Sequence, residues 1–217
     1  MKTLLHKYRF EFLFFALVMV IFNKIFIRDD VFYREVVWPI NMILLGLVSL
    51  GIFHERQRWE QVLRSILFIG ILAIPLAPRI IFQSETLSYI GMVVYILFYS
   101  LLFYSVMYQI TRNKVVSESV IFGSLSGFLL MIVVATFSFL LLDLASPGSF
   151  NNIVGSSIPE WYQQFTYFSL ISLTTIGYGD ITPGSEQARL LAGFWGVMSQ
   201  FYMVAIVGII IAKYTSK

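Results

Sequence analysis

Five stretches of this chain stay nearly free of charge for long enough to cross a hydrocarbon layer about 30 Å thick, at about 1.5 Å of helix rise per residue. They are residues 10–27, 36–53, 87–110, 117–142 and 188–212. A sixth, 62–77, is shorter and contains Pro75, with Pro78 just beyond. If Arg79 lies at an interface, that helix extends to about Phe82 and still spans, which gives six passes. The alternative is a segment that re-enters and leaves on one side. Only 12% of the residues are charged and 58% are hydrophobic, against roughly 25% charged in a soluble domain. Lipid is therefore the solvent.

Basic residues separate the two topologies. With the N-terminus inside, Lys2, Lys7, Arg9, Arg56, Arg58, Arg64, Arg112, Lys114, Lys213 and Lys217 face the cytoplasm, while Lys24, Arg28, Arg34, Arg79 and Arg189 lie outside. A two-to-one excess inside supports an even number of passes and both termini in the cytoplasm of a cell-membrane protein. Five passes would erase the excess. The positive start M-K-T-L-L-H-K-Y-R-F leads into an apolar run without a small-residue cleavage site, so it reads as a retained first helix.

The other connections say less. R-D-D-V-F-Y-R-E, after residue 27, reads as a solvated loop. Residues 146–159 form the one long turn-rich link, without an N-x-[ST] acceptor. The cytoplasmic links and the final K-Y-T-S-K are short for a soluble domain, so a cytoplasmic nucleotide- or calcium-binding ring is not expected here unless a separate subunit brings it. A net charge of +3 is too small and scattered for nucleic-acid binding, and the lack of cysteine excludes disulfides and thiol chemistry. His6 and His54 form no ligand cluster, and no base, nucleophile or cofactor is called for.

Residues 159–173, P-E-W-Y-Q-Q-F-T-Y-F-S-L-I-S-L, differ from the spans. Pro159 opens a helix, Glu160 suits its positive end, and about twelve helical residues reach only about 18–20 Å. Such a helix enters from outside, stops near mid-membrane and aims its negative C-terminal end at the centre. The chain then returns through T-T-I-G-Y-G-D, residues 174–180, where two glycines disfavour helix. Non-helical backbone at that depth leaves carbonyls unpaired, which is tolerable only inside protein or beside an aqueous path. A dehydrated cation is the obvious partner for those oxygens, and a ring of symmetry-related copies would replace its water shell.

T-T-I-G-Y-G-D resembles the potassium-channel selectivity signature, and with its flanking helices the resemblance covers about residues 117–213. The resemblance implies that the carbonyls of Thr175, Ile176, Gly177 and Tyr178, with the Thr175 hydroxyl, form stacked K+ sites. Gly179 would sit at the outer mouth, Thr174 would support the filter, and the Ile176 and Tyr178 side chains would brace the loop. In the family the residue matching Asp180 bonds to an aromatic partner, usually Trp. Here that position is Tyr167, beside Phe168, and Ile171 stands where many relatives carry Glu; both departures bear on filter rigidity. On the last helix, Gly193, Gly196 and Gly208 are sites of either bending or close packing. Asp143 belongs at the water interface.

The expected architecture is all-α, with six transmembrane helices, a re-entrant pore helix and a filter loop. Residues 1–112 form a four-helix transmembrane domain and 113–217 the pore domain. Four copies in a lipid bilayer close the pore, making a homotetrameric, passive K+ channel and no enzyme. Six-pass relatives carry Arg or Lys at every third position of the fourth helix, whereas Ser88 to Tyr108 has none. A charge crossing the field supplies about 2.3 kcal/mol per 100 mV, so steep voltage gating is not expected and the first four helices are a scaffold or a degenerate sensor. Tyr95, Tyr99, Tyr104 and Tyr108 lie roughly on one face, a packing surface or a lipid or small-molecule groove. The rivals are a weakly selective cation channel, a K+-transporting subunit of a secondary transporter, and a non-conducting scaffold. An unidentified regulatory subunit would supply any ligand gating.

Overall fold

The computed structural model describes residues 8–52, 58–76, 84–112 and 117–215. The third span's extension through Arg79 to Phe82 lies outside the described residues, as do Lys2, His6, Lys7, His54, Arg56, Lys114 and Lys217.

Helix α1, Arg9–Phe22, tightens into a 3-10 turn over Asn23–Ile25. It buries Phe10, Leu13, Leu17, Val20 and Ile21, the one stripe that 3.6-residue periodicity allows. Helix α2 runs from Asp30 to Ser49. It begins inside the stretch read above as loop, because the Asp29 side chain accepts from the Val31 and Phe32 amides and caps it. Its Tyr33–Val37 segment is a π-turn closed by the Trp38 amide bonding to the Tyr33 carbonyl. Pro39 follows at once. Proline has no amide hydrogen and its ring clashes with the carbonyl four residues back, so a widened turn before it relieves both faults.

Helix α3 spans Arg58–Leu76 with Pro75 in its last turn, α4 spans Glu85–Arg112 and α5 spans Glu118–Ala145. After α5 the chain forms strand β1, Phe150–Asn151, then helix α6, Ile158–Leu173, a non-helical return, strand β2, Thr182–Pro183, and helix α7, Glu186–Thr215. The two short strands pair antiparallel, Phe150 opposite Pro183 and Asn151 opposite Thr182.

Among the described residues, four helices are long and apolar enough to cross a membrane: those covering Asp30–Ser49, Glu85–Arg112, Glu118–Ala145 and Glu186–Ile206. The chain is thus mostly helical and built as an all-α membrane protein. Helix α5 is the hub. Helices α1, α4, α6 and α7 all pack on it, and 67% of its apolar window is buried against 17% for α7. Tyr95 and Tyr99 of α4 stack nearly parallel on Phe137 of α5, with ring centroids 4.6 and 5.8 Å away. Tyr104 is exposed on the far side of α4 and contacts Tyr108 instead. The four tyrosines therefore do not share one face: a spacing of five residues advances a helix by about 500°, which turns the second pair away from the first.

Candidate functional site

The site is the return between α6 and α7. Ser157 stands at the N-cap position of α6 without a side-chain cap bond, Pro159 occupies the first turn, and Glu160 reaches back to accept from the Ser156 amide at 2.7 Å. The Glu160 carboxylate thus ties the turn before α6 to its first turn, with the Ser156 hydroxyl adding a second bond at 3.2 Å. The Ser156 amide bond, with further hydroxyl bonds and Arg34 nearby, holds the Glu160 carboxyl below its usual range.

Helix α6 is clamped from several sides. On α5, Thr136 Oγ1 donates to Ser169 Oγ at 3.2 Å. Phe168 packs edge-on to Phe139 and Phe150 at 5.0 and 5.4 Å. Tyr162 sits between Phe137 of α5, 5.2 Å away, and Trp38 of α2, 6.4 Å away. Arg34 Nη1 donates to Glu160 Oε1 at 3.0 Å. The acidic-basic stretch after α1 therefore reaches α6, which its reading as a solvated loop missed.

At its C-terminal end α6 hands its free carbonyls to the return loop. The Thr174 amide bonds to Leu170 O, Thr175 to Ser172 O, and both Ile176 and Gly177 amides to Ile171 O, at 2.9 and 3.0 Å. Ile171, whose side chain is buried, thus holds the loop through its backbone. Thr174 Oγ1 donates to Leu170 O at 2.5 Å. Along the loop φ is positive at Thr175 (64°), Gly177 (56°) and Gly179 (79°), and Ile176 and Tyr178 between them are not among the positive-φ residues. The left-handed state costs a non-glycine residue about 1–2 kcal/mol, so Thr175 is strained where the glycines are not. Alternating hands along a strand gather amides on one side and carbonyls on the other. Among the described residues no donor bonds to the carbonyls of Thr174 to Gly179. All of residues 174–180 are exposed, Ile176 by 55% and Tyr178 by 72%.

The loop's exit is tied down twice. Tyr167 Oη donates to Asp180 Oδ2 at 2.6 Å, which holds the Asp180 carboxyl below its usual range and pushes the phenol up to about 12. Asn152 Nδ2 donates to the Asp180 carbonyl at 2.8 Å, from a residue at φ 64° in the long link. Asn152 escaped the sequence reading; the signal was N-N in a turn-rich stretch, since asparagine tolerates the left-handed state. Asp143 Oδ1 accepts from the Phe150 amide at the end of α5.

Gly193, Gly196 and Gly208 lie within the continuous helix α7, and a Cβ built at any of them meets nothing within 4 Å. None is a packing contact among the described residues of this protomer. The close contact is elsewhere: Tyr202 of α7 donates its hydroxyl to the Ser124 carbonyl of α5 across Gly127, where a Cβ would collide with it. Tyr202 also lies 6.0 Å from Phe103 of α4 and from Phe128.

A short helix and an irregular, exposed loop whose carbonyls meet no donor among the described residues thus lie between two long apolar helices. Residues 127–216 match the family model described as "Ion channel". That match supports an ion channel, a class that acts in a lipid bilayer as an oligomer and points away from an enzyme. No curated protein and no solved structure matches the chain.

Proposed function

We propose that this chain is one subunit of a homotetrameric, K+-selective channel of the cell membrane, with Thr175, Ile176, Gly177 and Tyr178 lining the filter and Gly179 at its mouth. The observation that carries the reading is the loop's backbone: φ positive at every second residue from Thr175 to Gly179, amides held by α6, and carbonyls without donors among the described residues. Carbonyls so arranged around a four-fold axis replace the water of a dehydrated cation, and the C-terminal dipole of α6 adds a favourable field. Helix α7 supports the assembly because it leaves Leu190, Phe194, Val197, Phe201 and Val204 exposed in a single protomer. On this reading residues 113–217 form the pore domain and 1–112 a four-helix membrane domain. There are six passes, with both termini cytoplasmic. Thr174, Asp180, Tyr167, Phe168 and Ile171 support the filter, and Gly193, Gly196 and Gly208 leave α7 free to bend or to meet a second copy.

No basic residue lies on α4 before Arg112 at its end, and its Tyr95 and Tyr99 are stacked into the core, so α4 lacks the charges for steep voltage gating. A second reading, a channel of weak K+ over Na+ preference, draws on the single phenol bond to Asp180 and on the apolar Ile171. Reconstituted channels under bi-ionic K+ and Na+ test both. The selective reading expects a reversal potential that strongly favours K+ and loss of flux in Gly177→Asp; near-equal permeability overturns it.

A further inference from the structure

We propose that Arg34 and Trp38 are positioning residues for ion selection, and that the π-turn of α2 serves to present both to the first two turns of α6. This rests on the channel reading above. A π-turn in a helix often marks a functional site, and this one, Tyr33–Val37, ends at Trp38. One inserted residue rotates everything beyond it by about 100°, so the turn sets the phase of Trp38 relative to Arg34. Both then meet α6. Arg34 Nη1 lies 3.0 Å from Glu160 Oε1, and the Trp38 ring stands edge-on to Tyr162 at 6.4 Å, both rings almost fully buried.

Helix α6 in turn carries the loop's anchors. The Ile171 carbonyl accepts from the Ile176 and Gly177 amides, and Tyr167 Oη donates to Asp180 Oδ2. A slide or tilt of α6 therefore moves the loop's inner and outer fastenings together. Oxygen cages need sub-ångström placement, and placement of that quality comes from supporting contacts. The first half of the chain supplies two of them, from a helix that carries no filter residue.

The test uses the full chain in liposomes, with the K+/Na+ permeability ratio and tetramer content measured for Arg34→Gln, Arg34→Lys, Trp38→Leu and Trp38→Phe. Leu45→Ala is the control, since Leu45 is buried in α2 about 10 Å further along than Trp38. Arg34→Gln and Trp38→Leu are expected to lower the ratio by about threefold, as a half-buried ion pair or ring contact allows. Arg34→Lys and Trp38→Phe should lie nearer wild type, and Leu45→Ala should lower stability without moving the ratio. If Trp38→Leu does not assemble, Arg34→Gln decides alone. Unchanged ratios in tetrameric Arg34→Gln and Trp38→Leu overturn the inference, as does an equal fall in Leu45→Ala. A wild-type protein that passes K+ no better than Na+ instead overturns the selective reading itself, and this inference with it.

Discussion

Replacing Gly127 by alanine should loosen α7 from α5. The added methyl would overlap the Tyr202 hydroxyl and stand 3.2 Å from Cζ and 3.4 Å from Cε2 of the same ring. Phe103 and Phe128, each 6.0 Å from the Tyr202 ring, leave it little room to retreat. Either the ring swings and its bond to the Ser124 carbonyl is lost, at about 1 kcal/mol, or the helices separate, with an overpacking cost of about 1–3 kcal/mol. The expected destabilisation is about 1–3 kcal/mol per subunit. Equilibrium unfolding in mixed micelles measures it, for Gly127→Ala, Tyr202→Phe and the double variant. Removing the hydroxyl removes the worst overlap, so the double variant should cost less than the two singles combined by at least about 1 kcal/mol. Strict additivity, or a Gly127→Ala protein within about 0.5 kcal/mol of wild type, would refute the reasoning.

The loop's outer fastenings give two further expectations. Tyr167→Phe removes the donor that depresses the Asp180 carboxyl, so that group should titrate higher, nearer the ordinary carboxylate range, read from the carboxylate infrared band. Because the folded value in wild type is depressed, the stabilisation is complete above the unfolded value and is lost only as pH falls through the lower, folded one. On the channel reading, ion flux in wild type should accordingly resist external acid down to the carboxylate range, whereas Tyr167→Phe, which lacks the bond at any pH, should show reduced flux with a weaker dependence on acid. Asn152→Ala leaves the Asp180 carbonyl without its 2.8 Å partner, and faster amide exchange at residues 180–182 with about 1 kcal/mol of lost local stability is the expected reading.

Much of the helical layout was legible because lipid imposes it. The apolar runs at 87–110, 117–142 and 188–212 became α4, α5 and α7 with ends shifted by only a few residues. The start of α2 was not legible: its charges resembled loop, and the Asp29 cap places them in a helix instead. The tyrosines of α4 misled for a different reason, since one five-residue step sends the second pair to the opposite face. Within the site, two positive-φ positions were readable from Gly177 and Gly179, but the third falls on Thr175, whose side chain gives no sign of it.

What the sequence determined by itself was the solvent, the run of helices and the non-helical return at 174–180. Transfer of peptide and charge into hydrocarbon, and the dihedral freedom of glycine, are settled residue by residue along the chain. What only the tertiary structure decided was who holds the return in place. Arg34 finds Glu160 across 126 residues of chain, and Tyr202 finds Ser124 across 78. Such pairings depend on the rotational phase of whole helices, which a π-turn before one proline can reset, and no local preference encodes the phase of a distant partner.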